Sequence, residues 1–450
     1  MDSAAHPLDA FDPAVRSAAL QRLLTPPPAF PPAGGNVNMH LHSFFSYNAC
    51  GYSPTHLAWE ARRVGLLAAG LCDFDVLDGL EEFLEAGRRL GLRATVNLET
   101  RAYFREYAHA ELNSPGEPGV VYFMGAGFVR PPAAGSPAAH TLALYRRQAA
   151  ARNLALLGRI EAHLPEIALD YERDVLPLAP AASPTERHIV RAYVRQARAV
   201  FGDGPALHAF WARVLGLEPA RVAELLRDVP ATEERVRARL AKQGGLGYET
   251  PSVATFPALD DFIAWVRACA ALPMLAWLDG TSAGEAQPEP LLECVRAKGT
   301  VAVNIIPERN WNLRDPAARA LKTARLHEFV TAAERLDLPL NIGTEMNRDG
   351  LPFVDDLQGE ALRPYADSFR RGACVFVGHT WLARYAECPY AGPRAAAEFG
   401  AAAARNRFFE SVGRLPPVTP AQHDALLARG PQAALAVLAD SARQRRWLID

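Results

Sequence analysis

Apolar and polar positions along the 450-residue chain fall into two rhythms. In the first, short apolar runs of strand length alternate with stretches of helical spacing. Asn36 to Ser43 reads as a strand, and Ser53-Pro54 reads as a cap and first helical residue. The helix that follows, Pro54 to Val64, places Leu57, Ala58, Ala61 and Val64 on one stripe and stops at Gly65. Leu66 to Cys72 reads as a buried strand, Leu77 to Leu90 as an amphipathic helix, Arg93 to Leu98 as a strand closed by Glu99, and Val120 to Met124 as a fourth strand. The rhythm resumes with a helix at Leu259 to Ala271, a strand at Pro273 to Leu278, a helix at Pro288 to Lys298 and a strand at Val301 to Ile306. A helix at Asp315 to Leu336, a strand at Leu338 to Gly343 and a last strand at Ala373 to Val377, ending on Gly378-His379-Thr380, complete it. Strands alternating with helices predict an α/β fold built on a parallel sheet or barrel.

The second rhythm occupies residues 129–250, where Ala-, Leu- and Arg-rich runs of helical spacing cover His140 to Leu164, Thr185 to Val200, Leu207 to Leu215 and Pro219 to Gln243. A segment of that length is no connecting loop. It reads as a helical insertion domain emerging from the active face of the barrel, placed to act as a lid. The expected organisation is a Pro-rich lead (1–35), a first barrel part (36–128), the insertion (129–250), a second barrel part (251–390) and carboxyl-terminal helices (391–450).

Composition narrows the classes of partner. Lys plus Arg number 48 against 50 Asp plus Glu, a formal charge of -2, which argues against a nucleic-acid polymer or a membrane surface as the main partner. No apolar stretch approaches 18 residues, and Met1 to Pro32 lacks the basic start and apolar run of a secretion signal, so a cytoplasmic protein is expected. Six scattered cysteines with no CxxC pair predict reduced thiols.

The candidate chemistry begins at His40 and His42. Two residues apart on a strand, they project from one face and can hold a cation between them. Carboxylates recur at or just past the strand ends, at Asp73, Asp75, Glu99, Asp279, Glu308 and Glu345, and a barrel gathers such ends on one face. Asp75 reads more simply as a turn aspartate capping the next helix. Arg309 and Arg348, both just past strand ends, suit a two-pronged grip on an anion.

Taken in order, Asn38-Met39-His40-Leu41-His42-Ser43, Tyr52-Ser53-Pro54, Cys72-Asp73-Phe74-Asp75-Val76-Leu77-Asp78-Gly79-Leu80 and Asn97-Leu98-Glu99-Thr100 resemble the opening of the PHP (polymerase and histidinol phosphatase) family. Pro184-Thr185-Glu186-Arg187-His188-Ile189, Leu275-Ala276-Trp277-Leu278 and Gly343-Thr344-Glu345-Met346-Asn347 extend the resemblance to about His379. It implies a distorted seven-stranded (β/α) TIM-like barrel that binds up to three divalent metals and hydrolyses phosphate esters. The chain departs from the pattern at Phe74, Trp277 and Asn347, each in the place of a histidine, at Asn48 in the place of an aspartate, and at Tyr122. Carried over position by position, the resemblance leaves His40, His42, Glu99 and Glu345 as ligands of one divalent metal, with zinc, manganese and iron all suited to the donor set.

The function these readings predict is a metal-dependent hydrolase, phosphoesterase-like, acting on a small phosphorylated or otherwise anionic molecule through one metal-activated water. Asp73, His379 and Arg348 are the candidates for acid–base and charge-neutralising roles, and Arg187, His188 and Arg309 for anion binding. Two other readings stand beside it. One is a non-catalytic binding protein in which Phe74, Trp277 and Tyr47 have reshaped the cavity, and the other is a single-metal lyase or isomerase.

Overall fold

The computed structural model describes residues 6–252 and 254–449. Seven strands form one sheet in chain order: β1 (Val37–Leu41), β2 (Ala68–Phe74), β3 (Arg93–Tyr103), β4 (Val120–Ala126), β5 (Leu272–Trp277), β6 (Ala302–Ile305) and β7 (Leu340–Ile342). A bridge between Leu41 and Glu345 brings the last strand back to the first, so the sheet is a nearly closed barrel. Six strands run parallel and β4 runs against both its neighbours. The cause lies in the link from Phe104 to Gly119, whose one helical turn is Arg105–Tyr107. A parallel crossover needs a helix to carry the chain back, whereas an antiparallel return does not.

Helix α1 (Pro13–Leu23) forms inside the Pro-rich lead, where no helix is expected from composition. Asp12 caps it by accepting from Ala14 N at 2.8 Å, Pro13 starts it, and its Arg16 pairs with Glu82 on the barrel. Helices α2 (Pro54–Arg63) and α3 (Leu80–Leu90) cover the first strands. On β1, Val37, Met39 and Leu41 join the apolar layer beneath the helices, while Asn38 and His40 turn into the barrel. The barrel interior is unusually rich in amides. Asn341 donates to Asn304 Oδ1 at 2.8 Å, Asn97 to Met39 O at 2.9 Å, and Asn38 to Thr344 Oγ1 at 2.8 Å.

The helical insertion contains α4 (Pro137–Glu161), α5 (Glu186–Phe201), α6 (Pro205–Leu215), α7 (Pro219–Leu225) and α8 (Val229–Leu240). The single run expected over Pro219 to Gln243 is two helices, because Asp228 caps a new start by accepting from Ala231 N. Leu156, Leu157 and Ile160 of α4 share a hydrophobic core with α5, α6, α7 and α8 that is separate from the barrel core. The first half of α4, with Ala138, Leu142 and Tyr145, packs instead on the barrel.

The second barrel part carries α9 (Leu259–Ala268), α10 (Pro288–Ala297), the short α11 (Glu308–Trp311) and α12 (Pro316–Arg335). The run Ala373 to Val377, expected as a strand, lies in helix α13 (Ala366–Ala386). This helix is buried almost all round, so its apolar run has no periodicity to distinguish it from a buried strand. It packs against the start of β7, where a Cβ on Gly372 would fall 2.0 Å from Leu340 O. Four carboxyl-terminal helices, α14 (Pro393–Glu398), α15 (Ala402–Gly413), α16 (Pro420–Ala428) and α17 (Pro431–Gln444), complete the chain. All six cysteines are free. Among the described residues, no helix is long and apolar enough to cross a membrane.

Candidate metal centre and anion chamber

His40 leaves the inner face of β1, His42 follows at its end, and Glu99 points inward from β3. The close passage of β7 past His40 depends on Gly343, since a Cβ there would meet His40 N at 2.5 Å. His40 Nε2 and His42 Nε2 lie 3.3 Å apart, and each lies 3.4 Å from Glu99 Oε2. All three residues are buried, and Glu99 Oε2 has no hydrogen-bond partner.

The opposite edges of the two rings explain what the inner edges are free to do. His40 Nδ1 faces Asn304 Oδ1 at 3.3 Å, an acceptor that also receives Asn341 Nδ2, so His40 donates there. His42 Nδ1 lies 3.1 Å from Ser46 Oγ, whose own proton goes to Asp73 Oδ1 at 2.7 Å, so His42 donates to Ser46. With Nδ1 carrying the proton on both rings, both Nε2 lone pairs and a carboxylate oxygen converge on one point. Such a triangle calls for a positive charge at its centre. Without one, burial lowers the affinity of His40 for a proton, but the charges of Glu99 and Glu345 outweigh it and raise the pKa. Burial pushes Glu99 upward, and the two histidines outweigh it and hold the carboxyl below its ordinary range.

The triangle also has the size of a metal site. Donors at about 2.0–2.1 Å from a tetrahedral cation sit about 3.3–3.4 Å from one another, whereas neighbouring donors in an octahedron at the same bond lengths sit about 2.8–3.0 Å apart. The observed edges of 3.3, 3.4 and 3.4 Å match the tetrahedron with one vertex left over.

Glu345, the fourth expected ligand, is placed differently. Its backbone N donates to His40 O and its carbonyl accepts from His42 N, both at 2.8 Å, but its carboxylate pairs with Arg309 and lies outside the cluster of donors. Asp73, expected as a catalytic group, accepts from Ser43 N, Ser43 Oγ and Ser46 Oγ, each at 2.7 Å. Both of its oxygens are thus spent on holding the turn that orients His42. Burial raises its pKa, against the lowering effect of His42 and these donors. Asp75 caps no helix; it accepts from Thr100 Oγ1 at 2.5 Å and pairs with Arg152 at 3.5 Å, while α3 starts at Gly79 without a side-chain cap.

His379 does not close a strand. It sits in α13 near the start of β5, donates from Nε2 to Gly127 O at 2.9 Å and accepts Tyr390 N on Nδ1 at 3.0 Å. Both nitrogens are satisfied, and burial pushes its pKa down to about 4. It is a structural histidine on the far end of the barrel from the cluster. His188, expected to bind substrate, caps its own helix by accepting Thr185 N at 3.0 Å; burial, with Arg191 and Arg187 nearby, pushes its pKa down to about 3.

Above the cluster lies a chamber of about 930 Å³ between the barrel mouth and the insertion. Phe74, Tyr122 and Asn347 contribute to its barrel side, and the ring of Phe74 stacks on His42 at 4.5 Å and 19°. Eight basic side chains line it against four acidic ones. Arg101 and Arg152 flank the ring of Phe256 at 4.4 and 4.7 Å, and Arg237 and Lys242 both hold Glu186. A smaller adjoining pocket of about 280 Å³ gathers Arg187, Arg237, Arg309 and Arg348 with Glu234, Glu308 and Asn347. Three of the sequence candidates, Arg187, Arg309 and Arg348, therefore meet there, although Arg187 pairs with Glu234.

Trp277 is absent from the chamber. It stacks on Phe329 of α12 at 4.6 Å, on the outer side of the barrel, while its neighbour Ala276 aligns with the inward Asn304. The residues that sequence reasoning passed over are Asn304, Asn341 and Ser46 behind the histidines, and Arg101, Arg152, Arg237 and Lys242 in the chamber. A lone asparagine in the apolar run Val301 to Ile306 was the available signal for the first.

Among solved structures the chain is similar to an amidohydrolase from Chromobacterium violaceum, solved with bound sulfate and no metal. The identity is 17% over 75% of this chain and 96% of that one, with a TM-score of 0.49. It is also similar to a candidate metal-dependent phosphoesterase from Bifidobacterium adolescentis, with 18% identity over 76% and 98% of the two chains and a TM-score of 0.45. Neither a protein-family model nor a curated protein matches the sequence.

Proposed function

We propose that the protein is a metal-dependent hydrolase of a small anionic molecule, a phosphate ester above all, built on a single cation held by His40, His42 and Glu99. The observation that carries the reading is the donor triangle, with edges of 3.3 to 3.4 Å and an orphaned carboxylate oxygen. A divalent cation there supplies Lewis acidity and brings the pKa of a coordinated water towards neutrality, and zinc is the ion whose bond lengths fit the triangle best.

The chain's own residues do the rest. Asn304 and the Ser46–Asp73 pair fix both imidazoles with Nδ1 protonated, so that each presents a lone pair. Arg309 and Arg348, which line the small pocket, neutralise the anionic group of the substrate, with Arg309 oriented by Glu345. The excess of basic side chains in the chamber raises the local concentration of anions. Phe74 and Asn347 set the approach from the chamber to the buried donors.

The test is elemental analysis of protein purified without chelator, together with hydrolysis of 4-nitrophenyl phosphate, on the wild type and the His40→Ala and Glu99→Gln variants. About one transition metal per chain, lost in both variants along with hydrolysis, supports the reading. No metal, or a content that neither variant changes, overturns it.

A further inference from the structure

The turn that fixes His42 also reaches the helical insertion. Ser46 and Tyr47 both donate their backbone N–H to Ser43 O, at 3.2 and 3.0 Å, so the two side chains are held on one tight turn. Ser46 faces inward to His42 and Asp73, while Tyr47 faces outward to the insertion. The guanidinium groups of Arg187 and Arg191 both lie against the Tyr47 ring, at 5.3 and 5.0 Å. Its hydroxyl accepts from Arg191 Nη2 at 2.6 Å and donates to Glu233 Oε2 at 3.1 Å, and Arg191 Nε closes the network on Glu233 Oε1 at 3.0 Å. Arg187 and Arg191 belong to α5 and Glu233 to α8, two helices of the separate insertion core. Burial pushes the phenol up to about 12, so the donor to Glu233 keeps its proton at neutral pH.

We infer that Tyr47 is a positioning residue that couples docking of the insertion to the orientation of His42, so that the metal site reaches full affinity only with the insertion docked. The inference rests on the reading of His40, His42 and Glu99 as a metal centre. Only one peptide unit separates the clasp from the hydroxyl that holds the ligand imidazole. Removing the clasp leaves the turn held by Asp73 and by its own backbone hydrogen bonds, without the support of α5 and α8. The coupling is reciprocal: an ion that fixes His42 must also favour the docked insertion. Another contact, Arg146 to Asp78 at 3.1 Å, joins the barrel-packed half of α4 to the link between β2 and α3 and bypasses this turn, which makes it the control for a lost surface ion pair.

The experiment measures zinc affinity of the full chain by competition with a chromophoric chelator, and hydrogen exchange in α5 and α8 with and without zinc. The proteins are the wild type, Tyr47→Ala, Tyr47→Phe, Arg146→Ala and His40→Ala. Tyr47→Ala is expected to weaken zinc several-fold, up to the roughly tenfold expected for losing Ser46 itself, Tyr47→Phe to fall between it and the wild type, and Arg146→Ala to match the wild type. Zinc is expected to slow exchange in α5 and α8 of the wild type and to lose that effect in Tyr47→Ala. Zinc binding by the wild type that both Tyr47 variants match, with exchange unaffected by zinc, overturns the inference alone. A wild type whose zinc binding is absent, or survives His40→Ala, overturns the metal reading and the inference with it.

Discussion

His379 offers the sharpest separation between a catalytic and a structural histidine. Its neutral ring is held between Gly127 O and Tyr390 N, and burial takes its pKa from 6.5 to about 4. A histidine whose pKa is lowered by folding stabilises the native state above its unfolded pKa, and that stability is lost as pH falls towards the folded value. The full difference corresponds to about 3 kcal/mol, and at pH 4.5 about 2.5 kcal/mol of it is gone. His379→Gln removes the titration along with part of the hydrogen bonding, at a cost of about 1–3 kcal/mol at neutral pH. The expected result is that the variant is less stable than the wild type at pH 7.5 and that the gap closes by pH 4.5. Guanidinium unfolding in the presence of chelator reads this, with Trp381 of the same helix as reporter. Chelator keeps the site metal-free in both proteins, so metal release at low pH does not enter the difference. A gap that stays constant between pH 7.5 and 4.5 would refute the reasoning, as would a variant that loses metal at neutral pH.

Three further outcomes follow from the site and its surroundings. Ser46→Ala breaks the link between Asp73 and His42 and should weaken zinc about tenfold in a chelator competition, with stoichiometry unchanged. Trp277→His puts a histidine where the resembled pattern has one, yet it places that ring against Phe329 outside the barrel, so elemental analysis should show no added metal while thermal unfolding shows a loss of about 3 kcal/mol. Glu186→Gln leaves Arg237 and Lys242 facing each other without their shared carboxylate and should destabilise the insertion by about 2–3 kcal/mol, measured by urea unfolding and by faster exchange in α8.

The parallel strands were legible because each is an apolar or alternating run bounded by turn residues, and α2 and α12 carry their own caps at Ser53 and Asp315. The direction of β4 was not, since a strand has the same composition either way and only the helix-poor link from Phe104 to Gly119 marks the reversal. The run Ala373 to Val377 misled because a helix covered on every side shows no polar stripe. At the site, the spacing of His40 and His42 was readable, as was the position of Glu345, whereas Glu99, read as closing a strand at Leu98, lies in the middle of β3, which runs on to Tyr103. Where the Glu345 carboxylate goes was not, because Arg309 lies 36 residues away and their pairing is a product of barrel closure. The same holds for Asn304, 264 residues from the histidine it faces. Aromatic residues in motif positions looked alike in the sequence, yet Phe74 lines the chamber and Trp277 faces the opposite way, a difference set by strand alternation across β2 and β5.

Helix α4 belongs to both cores, and that gives the insertion an uneven suspension. Its 25 residues form a rod of about 37 Å, rooted on the barrel where Trp265 Nε1 donates to Ala138 O at 2.9 Å. The chain's return packs on the far half of the same rod, where Arg159 Nε donates to Gly247 O at 2.8 Å and a Cβ on Gly247 would meet Ile160 and Leu156. A rod clamped at one end moves by tilting. A rotation of 10° about its root would carry the far tip roughly 6 Å, enough to change the width of the chamber by about two water diameters. Any such tilt would carry the insertion core with the rod, because Leu156, Leu157 and Ile160 belong to that core.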